Sequence, residues 1–113
     1  MDSHLLLEID RCSKCGTCRS VCPVFAETND EAMVARGRLT LAEAFMKEEL
    51  DYSARYLRSL KSCIQCLRCV DACPSSLDVG DIVRAMREQA VEKLGLSPVT
   101  RFVFRRVLPN RRL

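Results

Sequence analysis

The eight cysteines of this chain fall into two runs that share one spacing. The first run is Cys12, Cys15, Cys18 and Cys22, and the second is Cys63, Cys66, Cys69 and Cys73. Both runs read C-x2-C-x2-C-x3-C, and a proline, Pro23 or Pro74, follows each of them directly. Because the second run repeats the first 51 residues further on (Cys12 to Cys63), the chain contains an internal repeat of a ligand motif.

Cysteine binds a metal as the thiolate, and four thiolates suit either a zinc ion or the corners of an iron–sulfur cubane. Zinc sites typically combine C-x2-C pairs from two separate knuckles. Here each run instead supplies three cysteines at successive two-residue gaps, which wrap around three corners of one cubane. The same run followed by proline is the bacterial ferredoxin signature, in which the fourth cysteine ligates the other cluster. The sequence therefore predicts two [4Fe–4S] clusters.

The predicted ligand sets are crossed between the two runs. We expect one cluster to be held by Cys12, Cys15, Cys18 and Cys73, and the second by Cys63, Cys66, Cys69 and Cys22. The chain has no Trp, two Tyr and four Phe, so it has few large aromatic side chains for a core. Crossed ligands would join distant parts of the chain and so compensate for a thin core. The alternative from another class is a structural or binding module with two zinc sites of four cysteines each, which would be colourless. A disulfide-stapled secreted protein is disfavoured, because the N-terminus lacks a basic stretch and a cleavage pattern.

The residues between the ligands differ in the two runs. Gly16 is the kind of residue that allows close backbone approach to the cluster, whereas Leu67 stands at the matching place. Ile64 similarly replaces Ser13, so the second site is the more apolar one. We hypothesise that its cluster has the lower reduction potential, because a dry site penalises the added negative charge.

The connector between the runs has the pattern of helices. Asn29 and Asp30 are suitable N-cap residues, and Asp51 or Ser53 is suitable for a second, shorter helix. The first helix has apolar residues at near-helical spacing: Met33, Val34, Leu41, Phe45 and Met46. The second has one stripe, with both tyrosines expected in the core: Tyr52, Tyr56, Leu57 and Leu60.

Helices are also predicted after the second run. Asp78 is a suitable cap and Gly95 a suitable stop, and Ser97 with Pro98 begins a last helix that ends before Pro109. The longer of the two helices has one apolar face: Ile82, Val83, Met86, Ala90, Val91 and Leu94. No segment shows sustained alternation of apolar and polar residues, so the predicted fold class is all-α.

Beyond the cysteines, few residues suggest chemistry. His4 is the only histidine, so the chain has few residues for the common acid–base and nucleophilic catalytic arrangements. No catalytic residue is predicted. Gly37 lies inside a helical pattern between Arg36 and Arg38. One interpretation packs this glycine against a cluster loop, with an arginine offsetting the cluster's negative charge. The other is a kink with two solvated arginines.

The net charge of +3 belongs to the end of the chain. Five arginines and no acid lie between Ser97 and Leu113: Arg101, Arg105, Arg106, Arg111 and Arg112. The pattern predicts an amphipathic basic helix with Val99, Phe102, Val103 and Val107 on one side. We favour docking on a partner or a following domain over contact with a membrane surface. Nucleic-acid binding is not expected, because the bases are not spread over a folded face with stacking aromatics.

The two motifs and their helical connector, roughly Leu5 to Leu94, resemble the α-helical dicluster ferredoxin domain. This domain occurs in the glycolate oxidase iron–sulfur subunit and the lactate-utilisation iron–sulfur protein. It also occurs in the corresponding subunits of anaerobic glycerol-3-phosphate dehydrogenase and heterodisulfide reductase. Residues 35–39, which read A-R-G-R-L, are similar to the R-G-R segment of these subunits. The further cysteine-rich domains with C-C-G motifs, found in the glycolate oxidase and lactate types, are absent here, and the end of the chain reads like a link into such a domain.

The resemblance implies electron transfer without catalysis by the chain itself. Single electrons would pass through the two clusters between a flavoprotein dehydrogenase, or another redox subunit, and a further carrier. We expect a dicluster domain over residues 1–96 and a basic tail or linker over 97–113. The tail would meet a C-terminal cysteine-rich domain or subunit. The expected location is the cytoplasm, with the inner face of the membrane as the alternative. The substrate, the electron donor and acceptor, the potentials and the oligomeric state are not encoded in the motif.

Overall fold

The computed structural model describes residues 3–109, and its regular structure is helical throughout that range, which confirms the predicted all-α class. Seven α-helices follow one another in this described part of the chain: α1 (Ser3–Asp10), α2 (Pro23–Thr28), α3 (Ala35–Met46), α4 (Ala54–Ser62), α5 (Arg68–Ala72), α6 (Val79–Leu94) and α7 (Pro98–Phe102). Two short 3₁₀ turns, Thr17–Ser20 and Glu31–Met33, lie among them, and a π-helical turn, Val103–Val107, continues α7.

Three helix starts are the predicted ones. The Ser53 hydroxyl accepts a hydrogen bond from the Tyr56 N–H, and the Asp78 carboxylate accepts one from the Asp81 N–H. Each of these bonds satisfies a backbone donor that the first helical turn leaves free. Pro98 occupies the first turn of α7, where its missing N–H costs nothing. The helix α1 was not predicted, and it contributes buried Ile9 to the core.

The start of the connector differs from the prediction of one continuous helix. Asn29 does not cap a helix there but ends α2 in the left-handed conformation, with φ of 50°. Asp30 caps only the short turn Glu31–Met33, and extended Val34 separates this turn from α3. The turn folds back closely on the helix, because a Cβ added to Gly37 would lie 1.7 Å from the Glu31 carbonyl oxygen. Close packing of two backbones, which local periodicity does not encode, therefore divides the connector.

One hydrophobic core joins α1, α3, α4 and α6. Its largest fully buried side chains include Tyr56, Leu39, Leu77 and Met86. Tyr56 stacks on Phe45 at 5.2 Å between ring centroids, and Tyr52 contacts the same ring at 4.5 Å. Tyr56 is thus a core residue as predicted, whereas Tyr52 is half-buried. Burial raises the pKa of Tyr56 far above its usual range.

The apolar face of α6 is shorter than the sequence pattern suggests. Ile82, Val83, Met86 and Ala90 are buried, but Val91 and Leu94 are exposed. The apolar side chains of the tail are also exposed, up to 73% for Val99. The predicted Arg111 and Arg112 lie outside the described residues. Within residues 3–109, no helix combines the length and the hydropathy needed to cross a membrane.

Candidate metal centres

The two cysteine runs form loops with the same backbone conformation. We call residues 12–18 the first loop and residues 63–69 the second loop. Lys14 and Gln65, at matching positions, both have φ of 58°. Gly16 and Leu67, also at matching positions, have φ of 81° and 64°. Each loop then enters a short helical turn that ends close to the last cysteine of the run. The sequence repeat is therefore a structural repeat as well.

The first cavity lies beside the first loop. Four predicted ligands line it together, although one of them belongs to the second run: Cys12, Cys15, Cys18 and Cys73. Apolar side chains from the core, including Leu39 and Leu77, form its inner wall, and Arg36 lies at its side. The folded chain thus places Cys73 against the first loop.

The second cavity lies beside the second loop. It has the complementary set of cysteines along its wall: Cys22, Cys63, Cys66 and Cys69. Ile64, Leu67 and the first turn of α6 at Gly80 complete this wall. Cys69, Ala35 and Val79 line both cavities and form the partition between them.

The donor set of both cavities is made of thiols. All eight cysteines are free, and neither cavity wall includes a histidine or a carboxylate. In the described part of the chain, no three His, Cys, Asp or Glu side chains converge as ligands of a single metal ion. The cysteines instead stand apart along the walls of two cavities of similar size. Thiolates at separate corners are what a [4Fe–4S] cluster requires, so the residues fit this group.

The sulfur atoms already accept or share polar contacts. The Phe25 N–H donates to the Cys22 Sγ at 3.5 Å, and the Thr17 hydroxyl lies 3.3 Å from the Cys15 Sγ. The Thr17 contact lowers the pKa of the Cys15 thiol. Burial raises the pKa of Cys18, and it raises the pKa of Cys69, in the partition, to about 11. Metal binding must therefore displace protons from buried thiols.

An arginine from a long helix clamps each loop. The Arg36 guanidinium donates to the Lys14 carbonyl at 3.1 Å, and it forms an ion pair with Glu31 at 2.6 Å. Arg87 donates to the carbonyls of Leu60, at 2.7 Å, and Cys63. Arg87 was not among the residues predicted to matter. Arg87 lies 51 residues after Arg36, which is the offset between the two cysteine runs. The repeat offset is therefore the sequence signal by which Arg87 can be found.

Neither interpretation of Gly37 and its arginines describes the structure fully. Gly37 packs against the backbone of residues 31–32 and not against a cluster loop. Arg38 is only 4% exposed, so it is not solvated, and it donates to the Ser59 carbonyl at 2.9 Å and the Ser62 hydroxyl at 2.8 Å. Arg38 thus ties α3 to the end of α4, where the second loop begins.

The family of the chain agrees with this site. The 4Fe–4S dicluster domain model matches residues 8–77, which is more than half of the chain, and the chain belongs to this family. It therefore binds two [4Fe–4S] clusters and is an electron-transfer iron–sulfur domain. The cofactor predicted from the cysteine spacing is confirmed, in preference to the zinc alternative.

Three curated relatives extend the comparison. The chain is 30% identical over 82 residues to the probable glycolate oxidase iron–sulfur subunit of Bacillus subtilis, covering 72% of this chain and 18% of the relative. It is 26% identical to an iron–sulfur subunit of the CoB–CoM heterodisulfide reductase of Methanopyrus kandleri, covering 87% and 47%. It is 24% identical to a subunit of the dihydromethanophenazine:CoB–CoM heterodisulfide reductase of Methanosarcina mazei, covering 82% and 26%.

The resemblance proposed from the motifs is confirmed by these relatives. The chain spans less than half the length of each of them. No solved structure is significantly similar to the chain.

Proposed function

We propose that the chain is a two-cluster relay within an oxidoreductase complex, with ligands crossed between its two cysteine runs. Cys12, Cys15, Cys18 and Cys73 hold one cluster, and Cys63, Cys66, Cys69 and Cys22 hold the other. Each bound cluster takes up and gives back a single electron. The chain's own residues position the clusters side by side and separate them by the thin partition of Cys69, Ala35 and Val79.

The observation that carries this proposal is the composition of the two cavity walls. Each wall combines three cysteines of one run with the fourth cysteine of the other run, and Cys69, in the partition, also borders the first cavity. Cys22 and Cys73 both have extended backbone at the end of their runs, with ψ of 115° and 119°. Pro23 directs the chain into α2 immediately after Cys22, so the fourth cysteine leaves its own loop.

The neighbours in the relay are proposed from the relatives. One of them is named as a glycolate oxidase subunit and two as heterodisulfide reductase subunits. We assign this chain the same kind of place, between a flavin-bearing or other redox subunit and a further electron carrier. Substrate chemistry then belongs to the partner. The relay comprises residues 1–96, and the basic tail of residues 97–113 docks on a partner or a following domain.

The cofactor content is measured on anaerobically purified protein. We expect about eight irons and eight acid-labile sulfides per chain, because each cubane contributes about four of each. Absorbance near 400 nm should bleach with dithionite. A colourless protein that contains about two zinc ions and no sulfide would contradict the electron-transfer function.

The crossed wiring has a sharper test in four single variants. Cys15→Ser and Cys73→Ser should remove the same cluster, whereas Cys66→Ser and Cys22→Ser should remove the other. Electron paramagnetic resonance of the reduced protein distinguishes the two clusters by their signals. If Cys73→Ser removes the signal that Cys66→Ser removes, each run holds its own cluster and the crossed assignment is wrong.

A further inference from the structure

The second loop has an apolar surface that the rest of the described chain leaves uncovered. Ile64 and Leu67 lie between its cysteines and are 63% and 47% exposed. Ser13 and Gly16 occupy the matching positions of the first loop. One backbone conformation therefore presents a polar surface beside the first cavity and an apolar surface beside the second.

The conformation of Leu67 is unfavourable for so large a side chain. Its φ of 64° is left-handed, which costs a non-glycine residue about 1 to 2 kcal/mol. The first loop has Gly16 at this place, where the cost does not arise. The Leu67 side chain leans on Gly80 of α6, yet about half of it remains in solvent. A strained, exposed apolar residue beside a cofactor cavity points to a function beyond folding.

Unpaired bases lie on both sides of this apolar surface along the chain. Arg58, Lys61 and Arg68 form no ion pair or side-chain hydrogen bond within residues 3–109. Arg58 and Lys61 line one hollow at the end of α4, which leads directly into Cys63, and Arg68 follows Leu67. Residues 53–70 include no acid.

The bases in and directly beside the first loop, by contrast, each form an ion pair. Arg11 lies 3.2 Å from Glu8, Lys14 lies 3.8 Å from Glu43, and Arg19 lies 3.5 Å from Glu31. A cation without a local partner attracts an anionic molecule from solution more strongly than a paired one does. The two loops therefore differ in charge as well as in polarity.

We propose that Ile64, Leu67, Arg58, Lys61 and Arg68 form an exchange face, the surface on which a one-electron carrier protein docks. Its partner surface has an apolar centre with carboxylates around it. The apolar pair excludes water beside the cluster ligands, and the bases steer and orient the acidic partner. Small interfaces of this kind suit transient electron-transfer complexes. This inference rests on the proposed function and adds that electrons enter or leave through the second cavity.

The test uses the cluster-loaded chain and flavodoxin, an acidic one-electron flavoprotein, as the probe. Binding is measured by calorimetry with both proteins oxidised, so that affinity is separated from electron transfer. Ile64→Ser with Leu67→Gly copies the first loop onto the second, and Arg58→Glu with Lys61→Glu reverses the rim charge. We expect each pair of substitutions to weaken flavodoxin binding about tenfold. Affinity of the unmodified chain should fall as salt is added, and Arg58→Glu with Lys61→Glu should abolish this salt dependence.

Two control variants match these changes in chemistry but lie elsewhere. Leu7→Ser removes another exposed leucine, and Lys47→Glu with Lys93→Glu reverses two exposed bases. Both controls should bind flavodoxin as the unmodified chain does. Both exchange-face variants should keep their iron content, and the charge-reversal pair should also keep the reduction potentials of both clusters. Ile64→Ser with Leu67→Gly makes the second site more polar, so on the hypothesis above it should raise the potential of the second cluster alone.

Several outcomes overturn the proposal. Unchanged affinity in both exchange-face variants, while the loaded chain still reduces flavodoxin, refutes the docking face and leaves the relay function intact. In the charge-reversal pair, a shifted reduction potential of the second cluster with unchanged affinity for flavodoxin means that the bases balance the charge of that cluster and do not form a docking face. Loss of binding to phosphatidylglycerol vesicles, with flavodoxin binding retained, assigns the face to a membrane. Absence of iron and sulfide refutes the proposed function itself.

Discussion

The first and second loops have the same backbone fold, but different contacts fix them in place and different side chains form their surfaces. The first is fixed by polar contacts: Arg36 donates to the Lys14 carbonyl, and the Lys14 ammonium donates to the Thr40 hydroxyl. The second loop is held at its start by Arg87 and leans on Gly80 through the apolar side chain of Leu67. Ligand geometry thus depends on the cysteines and the backbone, and the intervening residues are free to specialise.

The difference extends to the charges that face each cavity. Arg36 lines the first cavity with its side chain 26% exposed, and an added Cβ at Gly16 would meet its Nη1 at 2.8 Å. Arg38 lines the second cavity, but its Nε and Nη2 donate to the Ser59 carbonyl and the Ser62 hydroxyl. An internal repeat can therefore hold two copies of one cofactor while giving each a separate environment.

The largest expected difference concerns two helical glycines, Gly37 of α3 and Gly80 of α6. Gly37→Ala places a Cβ against the backbone of Glu31 and Ala32, which cannot move aside, and we expect a loss of about 3 kcal/mol in unfolding free energy. Gly80→Ala meets only the Leu67 Cδ2 closely, at 2.5 Å, so the flexible side chain yields and the loss should stay below about 1 kcal/mol.

Anaerobic urea denaturation followed by circular dichroism measures both changes. Adding Leu67→Gly should rescue Gly80→Ala and leave Gly37→Ala unaffected, because only the first pair is in contact. Equal losses for the two single variants would show that the Leu67 side chain yields no more readily than the backbone of Glu31 and Ala32.

A reciprocal exchange of Gly16 and Leu67 tests the shared left-handed position. Gly16→Leu introduces a strained conformation and a clash with Arg36, so we expect destabilisation of about 2 kcal/mol. Leu67→Gly relieves backbone strain while losing a half-exposed contact, so its net effect should be within about 1 kcal/mol. Thermal unfolding of the loaded proteins gives the comparison. If Gly16→Leu raised the unfolding temperature, the predicted difference between the two left-handed positions would be wrong.

The smallest expected effect is on the reduction potentials. Arg36→Gln removes a cation beside the first cavity, so the first cluster should become harder to reduce, by on the order of tens of millivolts. Glu31→Gln removes the carboxylate that pairs with Arg36 and should move the same potential upward. Redox titration followed by paramagnetic resonance checks both, with the second cluster as internal control.

This titration also tests the hypothesis that the second, more apolar site has the lower potential. If the first cluster is the lower one and Arg36→Gln leaves it unchanged, side-chain polarity and charge do not set the order of the two potentials. The ligand variants Cys15→Ser and Cys66→Ser assign each potential to its site.

The sequence by itself determined the cofactor and most of the helices. Three cysteines at two-residue gaps in each run mark a cluster, and caps such as Ser53 and Asp78 act on the adjacent turn. These are local relations, so spacing and residue type suffice to predict them. The repeat offset of 51 residues also predicted which positions in the two loops correspond.

Only the tertiary structure decided how the residues between these signals are used. In the folded chain, the connector is divided at Val34 and Arg38 is buried. Val91 and Leu94 are exposed, and Arg87 donates a hydrogen bond to the second loop at the Cys63 carbonyl. Each of these outcomes depends on segments that lie far apart in the chain and meet through packing. Periodicity and propensity describe one segment at a time, and for that physical reason they do not contain the contacts between segments.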